Sequence, residues 1–434
     1  MHVVVAGGGI FGQVIAWRLA LRGARVTLVE PIGPGCYGSG SGDRTRLVRA
    51  LYDEPFFAEA GFVGLRLWDE WQRLLGVPLF ENTGVLYLVR REGPGAAAFR
   101  TWVTKGIGHV RALGAAVEEM SPAAIAARWP ALATADLEIG AFEPGAGYAR
   151  AALATRTIAR AGAATHLVTH SPGRAVSIDE RGGRACALRV RTGDTETSIA
   201  ADAVVVAAGF AGVSLVEPIC GRLPIERLAH WTSYWDVPYP EGAALHRSEL
   251  PPWADLGAEI YGFPDDGESG FKVASHSPRP PPSALLDPLA AARHGRAAPP
   301  PVDPFASTYP GKPAPPAEPP PAPPASPSDL VRPGDAPTET ELEILRERVA
   351  VRVPAIRHAR CRATYTCAYD STADERFQIG PVPGMQGVWF VGGLSGHGFK
   401  HAPSLGESVA AAVLGQTPLL DLSPYSLRAP RQPG

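Results

Sequence analysis

A glycine-rich turn near the start of the chain constrains the fold more than any other feature. Residues 7–12 read Gly-Gly-Gly-Ile-Phe-Gly and follow an apolar strand predicted at 2–6. Gly7 permits the tight turn, Gly9 lets the backbone approach a pyrophosphate, and Gly12 lets the following helix pack closely. Because the N-terminus of that helix presents free N–H groups and partial positive charge, the turn predicts a dinucleotide site.

The residues after the turn support the same prediction. A second strand, predicted at 25–29, ends at Glu30, where an acidic side chain grips ribose hydroxyls. Ile10 and Phe11 open the helix between the two strands, and we include them among the cofactor-binding residues. The strand–helix–strand order indicates an α/β fold with a Rossmann-like domain.

Two further apolar segments favour FAD over a nicotinamide dinucleotide. Residues 203–208 form a continuous apolar run before Gly209, and residues 388–391 form another before Gly393. Such runs are typical of parallel strands covered on both faces, and flavoproteins of the glutathione reductase type place them beside the dinucleotide. The sequence has no second glycine motif of this kind. We therefore expect electrons to come from a substrate and to leave to oxygen or another acceptor.

Composition limits the other classes of function. A chain of 434 residues favours two structural units. A net charge of −2 gives no reason to expect nucleic acid as a partner, and no apolar run is long enough to cross a membrane. The five scattered cysteines and the lack of a recognisable signal peptide favour a reducing cytoplasm.

Residues 278–327 differ from the rest in composition. They hold 19 of the chain's 45 prolines and few large apolar side chains, so we predict a disordered or polyproline-like insertion. The simpler interpretation is a tolerated surface insertion. The alternative is a lid, or a docking segment for a domain that binds proline-rich peptides.

Four short stretches, in this order, resemble the monomeric sarcosine oxidase and N-methyl amino acid oxidase family of the D-amino-acid-oxidase-like superfamily. They are Thr45-Arg46-Leu47-Val48-Arg49, then Tyr261-Gly262-Phe263-Pro264 with Lys272 and His276, then Cys367-Ala368-Tyr369 with Asp374 and Phe377, and finally Ser395-Gly396-His397-Gly398-Phe399-Lys400. The resemblance runs from residue 1 to about 420 and leaves out the proline-rich insertion.

The resemblance implies two domains. The FAD-binding domain would comprise 1–79, 148–217 and 368–434, and the substrate domain would comprise 80–147 and 218–367. The substrate domain would be built on a mostly antiparallel sheet with helices. We expect the whole protein to be a monomer.

The resemblance also implies how the flavin is held. Cys367 matches a cysteine that forms a thioether to the flavin, and a reactive thiolate needs electropositive surroundings. The alternative is that Cys367 is a small buried residue. The other residues that the resemblance places at the flavin are Arg46, Gly209, Gly393, Gly396, His397, Gly398 and Lys400.

Six residues match substrate-site or catalytic positions of the family: Arg46, Arg49, Tyr261, Lys272, His276 and Lys400. Arg49 and Lys400 match a pair that holds a substrate carboxylate, for which a guanidinium and an ammonium are suited. Lys272 matches a lysine that assists oxygen reduction, and the alternative is an ordinary surface lysine. Tyr261 and His276 match side chains that shape the pocket, although His276 could instead be structural.

These features predict oxidation of a secondary amine of an amino acid, N-methylated or cyclic, to an imine, with oxygen reduced to hydrogen peroxide. The alternatives are a flavin amine dehydrogenase or imine-forming biosynthetic enzyme with another electron acceptor, and a subunit that binds partners through the proline-rich segment. The loop at 38–44 lacks the histidine usual in the family, which disfavours sarcosine itself. The aromatic run at 230–235 either packs in the core or serves a larger substrate, such as pipecolate or an N-methyl aromatic amino acid.

Overall fold

The computed structural model describes residues 1–36, 38–275 and 337–427. His276 and the proline-rich segment predicted at 278–327 lie outside these residues. The side chain of Cys367 also lies outside the description, although the backbone at 367 belongs to a strand.

The described residues form eight α-helices and twenty strands. The helices are α1 (Ile10–Leu21), α2 (Pro55–Leu75), α3 (Ala96–Ala112), α4 (Pro122–Arg128), α5 (Ala151–Ala163), α6 (Phe210–Cys220), α7 (Glu339–Ala350) and α8 (Ala402–Val413). The strands are β1 (His2–Ala6), β2 (Arg25–Glu30), β3 (Thr45–Val48), β4 (Phe80–Glu81), β5 (Val85–Arg90), β6 (Glu118–Met120), β7 (Leu137–Glu143), β8 (Gly147–Arg150), β9 (Val168–Pro172), β10 (Arg174–Arg181), β11 (Arg184–Thr192), β12 (Thr195–Ala200), β13 (Ala203–Val206), β14 (Glu226–Asp236), β15 (Trp253–Asp255), β16 (Ile260–Phe263), β17 (Phe271–Ser275), β18 (Arg360–Ser371), β19 (Gln378–Pro381) and β20 (Val388–Gly392).

A six-stranded sheet contains the three strands that the sequence predicts around the nucleotide. Its strand order is β19-β20-β13-β1-β2-β9, and every neighbouring pair is parallel except β19 with β20. In β1 and β13 the paired residues Val5 and Val205 are fully buried. Helices α1, α5 and α8 cover one face, and the β10-β11-β12 sheet with α6 covers the other, which explains why these strands are apolar throughout rather than alternating.

Helix α1 crosses between β1 and β2 and lies buried on almost every side. It packs against α5 and α8, so an apolar surface all around the helix is what its position requires. A Cβ built at Gly12 would lie 1.8 Å from the carbonyl oxygen of Gly7. Glycine is therefore needed for the helix to pack this closely on the turn that precedes it.

An eight-stranded sheet forms the second layer, in the order β18-β14-β17-β16-β15-β5-β7-β6. All its neighbouring pairs are antiparallel except β15 with β5, as predicted for a mostly antiparallel sheet. Two three-stranded sheets, β10-β11-β12 and β3-β8-β4, complete the fold. The observed α/β architecture thus has the predicted parallel and antiparallel layers, whereas the domain boundaries stay a prediction.

Strand β14 explains the aromatic run at 230–235. Side chains alternate between the two faces of a strand, so Trp231 and Trp235 enter the hydrophobic core. His230 and Thr232, on the other face, line a cavity. The core-packing interpretation is therefore right for the two tryptophans. In the part of the chain described, no helix is both long and apolar enough to cross a membrane.

Candidate active site

A cavity of about 1200 Å³ extends from the glycine turn to the segment around Lys400. The residues predicted from the sequence that line it are Gly7, Gly9, Ile10, Phe11, Glu30, Arg46, Arg49, Gly209, Tyr261, Lys272, Gly396, His397, Gly398 and Lys400. Gly12 packs behind the turn, and Gly393 lies behind the wall, where its N–H donates to the Asp370 carboxylate. The neighbours of Cys367 along β18, Ala368 and Tyr369, line the cavity.

The glycine turn forms one end of the cavity. Gly7 has φ +105°, and a Cβ there would lie 2.5 Å from the carbonyl oxygen of Ala207 in the loop after β13. The Glu30 carboxylate accepts hydrogen bonds from the N–H groups of Gly8 at 2.7 Å and Ile32 at 3.0 Å. Burial raises the pKa of Glu30, and these backbone N–H groups partly oppose the change. The first turn of α1 contains no acidic side chain that would repel a phosphate.

At the other end of the cavity, two buried cationic side chains contact the same tyrosine. The guanidinium carbon of Arg49 lies 3.7 Å from the ring centre of Tyr52 and 4.8 Å from that of Trp102. The Nζ of Lys400 donates to the hydroxyl of Tyr52 at 3.1 Å and to the carbonyl oxygen of His397 at 3.0 Å. Only 9% of Arg49 and 6% of Lys400 is exposed. Within the described residues neither cation forms an ion pair with a carboxylate.

The environment of Lys400 disfavours its charge. Burial lowers the pKa of Lys400 well below its usual range, and the positive charges of Arg49 and Arg46 lower it further. Arg49 also donates to the backbone oxygen of Leu51, which fixes its position beside the cavity. This end of the cavity is therefore poised to receive an anion.

A second pair of cations, Lys272 and Arg46, shares one carboxylate. The Nζ of Lys272 donates to Oδ2 of Asp43 at 2.7 Å and to the backbone oxygen of Thr45 at 2.9 Å. Arg46 donates to the same carboxylate. Burial raises the pKa of Asp43, but Lys272 and Arg46 more than offset this and hold it well below its usual range.

His230 and Tyr261 form one wall between the two ends. Nε2 of His230 lies 2.9 Å from the hydroxyl of Tyr261, and the two rings are nearly parallel, with an interplanar angle of 9° and centres 6.0 Å apart. His230 comes from β14 and Tyr261 from β16, so the contact bridges across β17. The two rings, hydrogen-bonded through their edges, both line the cavity.

The sequence of this chain matches the family described as FAD dependent oxidoreductase over residues 2–412. The chain belongs to this family. N-methyl-L-tryptophan oxidases of Salmonella agona and Salmonella typhimurium are each 27% identical over 433 residues, and the similarity covers 98% of this chain and 98% of each relative. The membership predicted from the four stretches is thereby confirmed.

Solved structures of other flavoenzymes share the fold. The L-proline dehydrogenase from P. horikoshii has a TM-score of 0.74 at 19% identity, covering 98% of this chain and 99% of that chain. The glycine oxidase from Geobacillus kaustophilus has a TM-score of 0.73 at 19% identity, covering 100% and 99%. The predicted FAD-binding Rossmann-like fold is therefore confirmed for this member of the FAD dependent oxidoreductase family.

The cavity fits FAD, the cofactor of the family. A Cβ at Gly7 would strike the backbone of Ala207 and Ala208, so glycine is what allows the tight turn of a dinucleotide site to lie against the loop after β13. The N-terminus of α1 supplies N–H groups, and Glu30 lies at the end of β2 beside the turn. Arg46 and Lys400 line the far end, where cations favour the negative charge that the flavin ring gains on reduction.

Sequence reasoning missed three residues that the structure brings into the site or beside it: Asp43, Tyr52 and Trp102. His230 belongs to the aromatic run for which a role at the substrate was one of the two alternatives, and it lines the cavity. Asp43 precedes a recognised stretch, but its partner Lys272 is 229 positions away. Trp102 lies on α3 and has the sequence pattern of any half-buried aromatic residue on a helix. For Tyr52 alone there was a usable signal, because it follows Arg49 by three positions.

Proposed function

We propose that this FAD-dependent oxidoreductase oxidises the secondary amine of an amino acid, N-methylated or cyclic, to an imine. The similarity to N-methyl-L-tryptophan oxidases along nearly the whole chain supports this class of substrate. The observation that carries the proposal is the pair of buried cations, Arg49 and Lys400, that lacks a carboxylate partner in the described chain. Buried charges are costly unless they are paired, and a substrate carboxylate would supply a negative charge beside both cations.

Arg49 and Lys400 would bind the carboxylate of the amino acid. The planar guanidinium suits two-point recognition, and the ammonium adds a point charge from a second direction. Because Tyr52 and Trp102 both pack against the guanidinium, Arg49 loses little further conformational entropy when the substrate binds. Two fixed contacts on the carboxylate orient the neighbouring carbon and its amine within the cavity.

FAD, when bound, would accept the electron pair and hydrogen of a C–H bond next to the amine nitrogen, and the nitrogen would lose a proton to leave the imine. The chain's own residues must therefore present an uncharged amine. The sequence suggests that Arg46, Arg49, Lys272 and Lys400 together lower the pKa of a bound ammonium. The structure weakens that argument, since Asp43 neutralises part of the charge on Lys272 and Arg46. Arg49 and Lys400 remain as charges that act on the amine, although the substrate's own carboxylate offsets part of them.

Oxygen is the electron acceptor in this proposal, and hydrogen peroxide is the second product. Lys272 lines the cavity and would stabilise negative charge as oxygen is reduced. We also propose that Cys367 bonds covalently to the flavin. Its position in β18, immediately before the cavity-lining residues Ala368 and Tyr369, supports this assignment.

The aromatic pair of His230 and Tyr261, which lines the cavity, supports a substrate with an aromatic side chain or a ring. Aromatic groups pack well on such a surface in offset or edge-on arrangements. Sarcosine, which has no side chain, would leave this wall without a contact. The proposed order of preference is therefore N-methyl aromatic or cyclic amino acids before sarcosine.

Turnover under air tests the proposal. Purified enzyme would be assayed with N-methyl-L-tryptophan, L-pipecolate, sarcosine and L-tryptophan, and peroxide would be measured against substrate consumed. The expected result is one peroxide per secondary amine oxidised, with sarcosine and the primary amine slower. Substrate oxidation that requires an added electron carrier and yields no peroxide would exclude the oxidase.

A further inference from the structure

Asp43 lies behind the cavity wall and holds the lysine that faces the cavity. The carboxylate side chain is 1% exposed, and its Oδ2 lies 2.7 Å from Nζ of Lys272, whose side chain is 3% exposed. Lys272 lines the cavity and Asp43 does not. Nζ also donates to Thr45 at its backbone oxygen, 2.9 Å away, and at Oγ1, 3.1 Å away. Three acceptors thus surround the three donors of one ammonium.

Other elements complete the surroundings of Lys272. Tyr234 of β14 is its register partner and donates its hydroxyl to Asp43. Phe263 of β16 places its ring centre 4.6 Å from Nζ. Arg46 binds the same carboxylate, whereas the Arg44 side chain binds Glu268 and Asp266 instead. Asp43 therefore supplies a negative charge in direct contact with Lys272.

Removing the negative charge of Asp43 would change the protonation state of Lys272. A buried ammonium without a counter-ion loses its proton rather than remaining charged, and the neighbouring Arg46 guanidinium repels it further. Arg46 itself stays charged under all ordinary conditions. Neutralising Asp43 would therefore leave Lys272 in place but uncharged at neutral and alkaline pH.

We propose that Asp43 is a positioning residue that keeps Lys272 charged, and that it thereby controls the rate at which the reduced enzyme reacts with oxygen. This inference rests on the role proposed above for Lys272. The overall reaction transfers two electrons and two protons from reduced FAD to O₂, which gives oxidised FAD and H₂O₂. The first electron makes superoxide, and a charged Lys272 stabilises its negative charge whereas a neutral amine does not.

Stopped-flow reoxidation tests the proposal in the intact holoenzyme. The protein would first be reduced anaerobically by substrate and then mixed with oxygenated buffer. The mixing would be repeated at pH values from about 6 to about 9, on both sides of neutrality. Asp43→Asn is expected to slow reoxidation about tenfold or more at the alkaline end and to recover toward the wild-type rate as pH falls. The Lys272→Met enzyme is expected to be reoxidised slowly at every pH, because a methionine side chain cannot be protonated.

Two matched variants separate charge from packing. Thr45→Val removes a hydrogen bond to the same Nζ but no charge, so it is expected to keep the wild-type pH profile. Asp43→Glu retains the charge, so it is also expected to keep the profile even if its rate falls. If Asp43→Asn folds poorly, Asp43→Ser, which also removes the charge, is measured in its place.

A double-mutant cycle on thermal unfolding gives a readout that does not depend on turnover. Asp43→Asn and Lys272→Met should each lower the melting temperature, and the double variant should lose less than the sum, because the two residues form one buried pair. Additive losses would overturn the pairing.

The outcomes distinguish the inference from the function on which it rests. Wild-type reoxidation in Lys272→Met would remove the oxygen role of Lys272. Slow reoxidation in Lys272→Met together with a wild-type rate and profile in Asp43→Asn would overturn the inference alone. An Asp43→Asn enzyme that stays equally slow at low pH would also overturn it, since protonation would then not be the cause.

Discussion

The guanidinium carbon of Arg49 lies 3.7 Å from the centre of the Tyr52 ring. The hydroxyl of that ring accepts a hydrogen bond from Lys400. One buried tyrosine thus joins two cations that lie 351 positions apart in the sequence. Cations so close together repel one another unless an anion joins them, and this relationship underlies the proposed carboxylate site.

Arg49→Ala should weaken the use of an amino acid substrate by about 2–4 kcal/mol in kcat/KM, the usual loss when one partner of a buried charge pair is removed. The matched control is Arg44→Ala. Arg44 belongs to the same segment but does not line the cavity, and it pairs instead with Glu268. The control should change kcat/KM by less than about 1 kcal/mol. Equal losses in the two variants would mean that Arg49 acts only on the fold.

Binding of a carboxylate should weaken as pH rises. In the free enzyme, burial and the neighbouring arginines lower the pKa of Lys400. The lysine is therefore protonated only at pH values below that lowered pKa. An anion binds the protonated form, so affinity is greatest at low pH and falls as pH rises through that pKa, by up to about tenfold per unit. The ligand for this measurement would be an acid without an amino group, such as indole-3-acetate, so that no amine of the ligand titrates. Its binding would be measured through the change in the flavin absorption spectrum.

Lys400→Met provides the control for that measurement. The variant should bind the acid more weakly than the wild type and with no dependence on pH in the same window. A wild-type affinity that is independent of pH would show that Lys400 does not contact the carboxylate.

Cys367→Ser should release the flavin when the protein is precipitated with acid. A thioether survives denaturation, so the wild-type pellet should stay yellow while the variant's flavin passes into the supernatant. Cys361→Ser is the matched control, because Cys361 lies on the same strand and does not line the cavity. Complete release of flavin from the wild type would exclude a covalent bond.

Gly7→Ala should prevent flavin binding or folding, whereas Gly23→Ala should not. Both positions have positive φ, +105° and +83°, but a Cβ at Gly7 meets backbone atoms at 2.5 Å and one at Gly23 meets nothing within 4 Å. Gly23→Ala should therefore cost only backbone strain, roughly 1–2 kcal/mol. Gly7→Ala adds a clash that rigid backbone cannot relieve. Flavin content and thermal unfolding measure both effects, and equal losses would contradict the role of the turn.

Local patterns account for the part of the fold that was predicted correctly. The turn at Gly7, the strand that ends at Glu30 and the helix from Ile10 are set by neighbours in sequence, and the structure has them at those positions. The strand predicted at 203–208 ends earlier, at Val206, because the following residues leave the sheet to line the cavity.

Contacts between distant segments account for what was missed. Lys272 was recognised through a family motif, but nothing local shows that Asp43 neutralises it from another part of the chain. The same holds for Trp102, which reaches Arg49 only because α3 packs beside this end of the cavity. Glu30 was predicted from its position at a strand end, yet the sequence did not show that its carboxylate also binds the backbone of Gly8.

Anaerobic reduction of the flavin by a matched pair of amines tests the central claim most directly. N-methyl-L-tryptophan and N-methyltryptamine differ by the carboxylate that Arg49 and Lys400 are proposed to hold. The account predicts that the amino acid bleaches the flavin at least about a hundredfold faster at equal low concentration, as expected for the loss of a charged anchor. Equal rates for the two amines, or faster reduction by N-methyltryptamine, would contradict it.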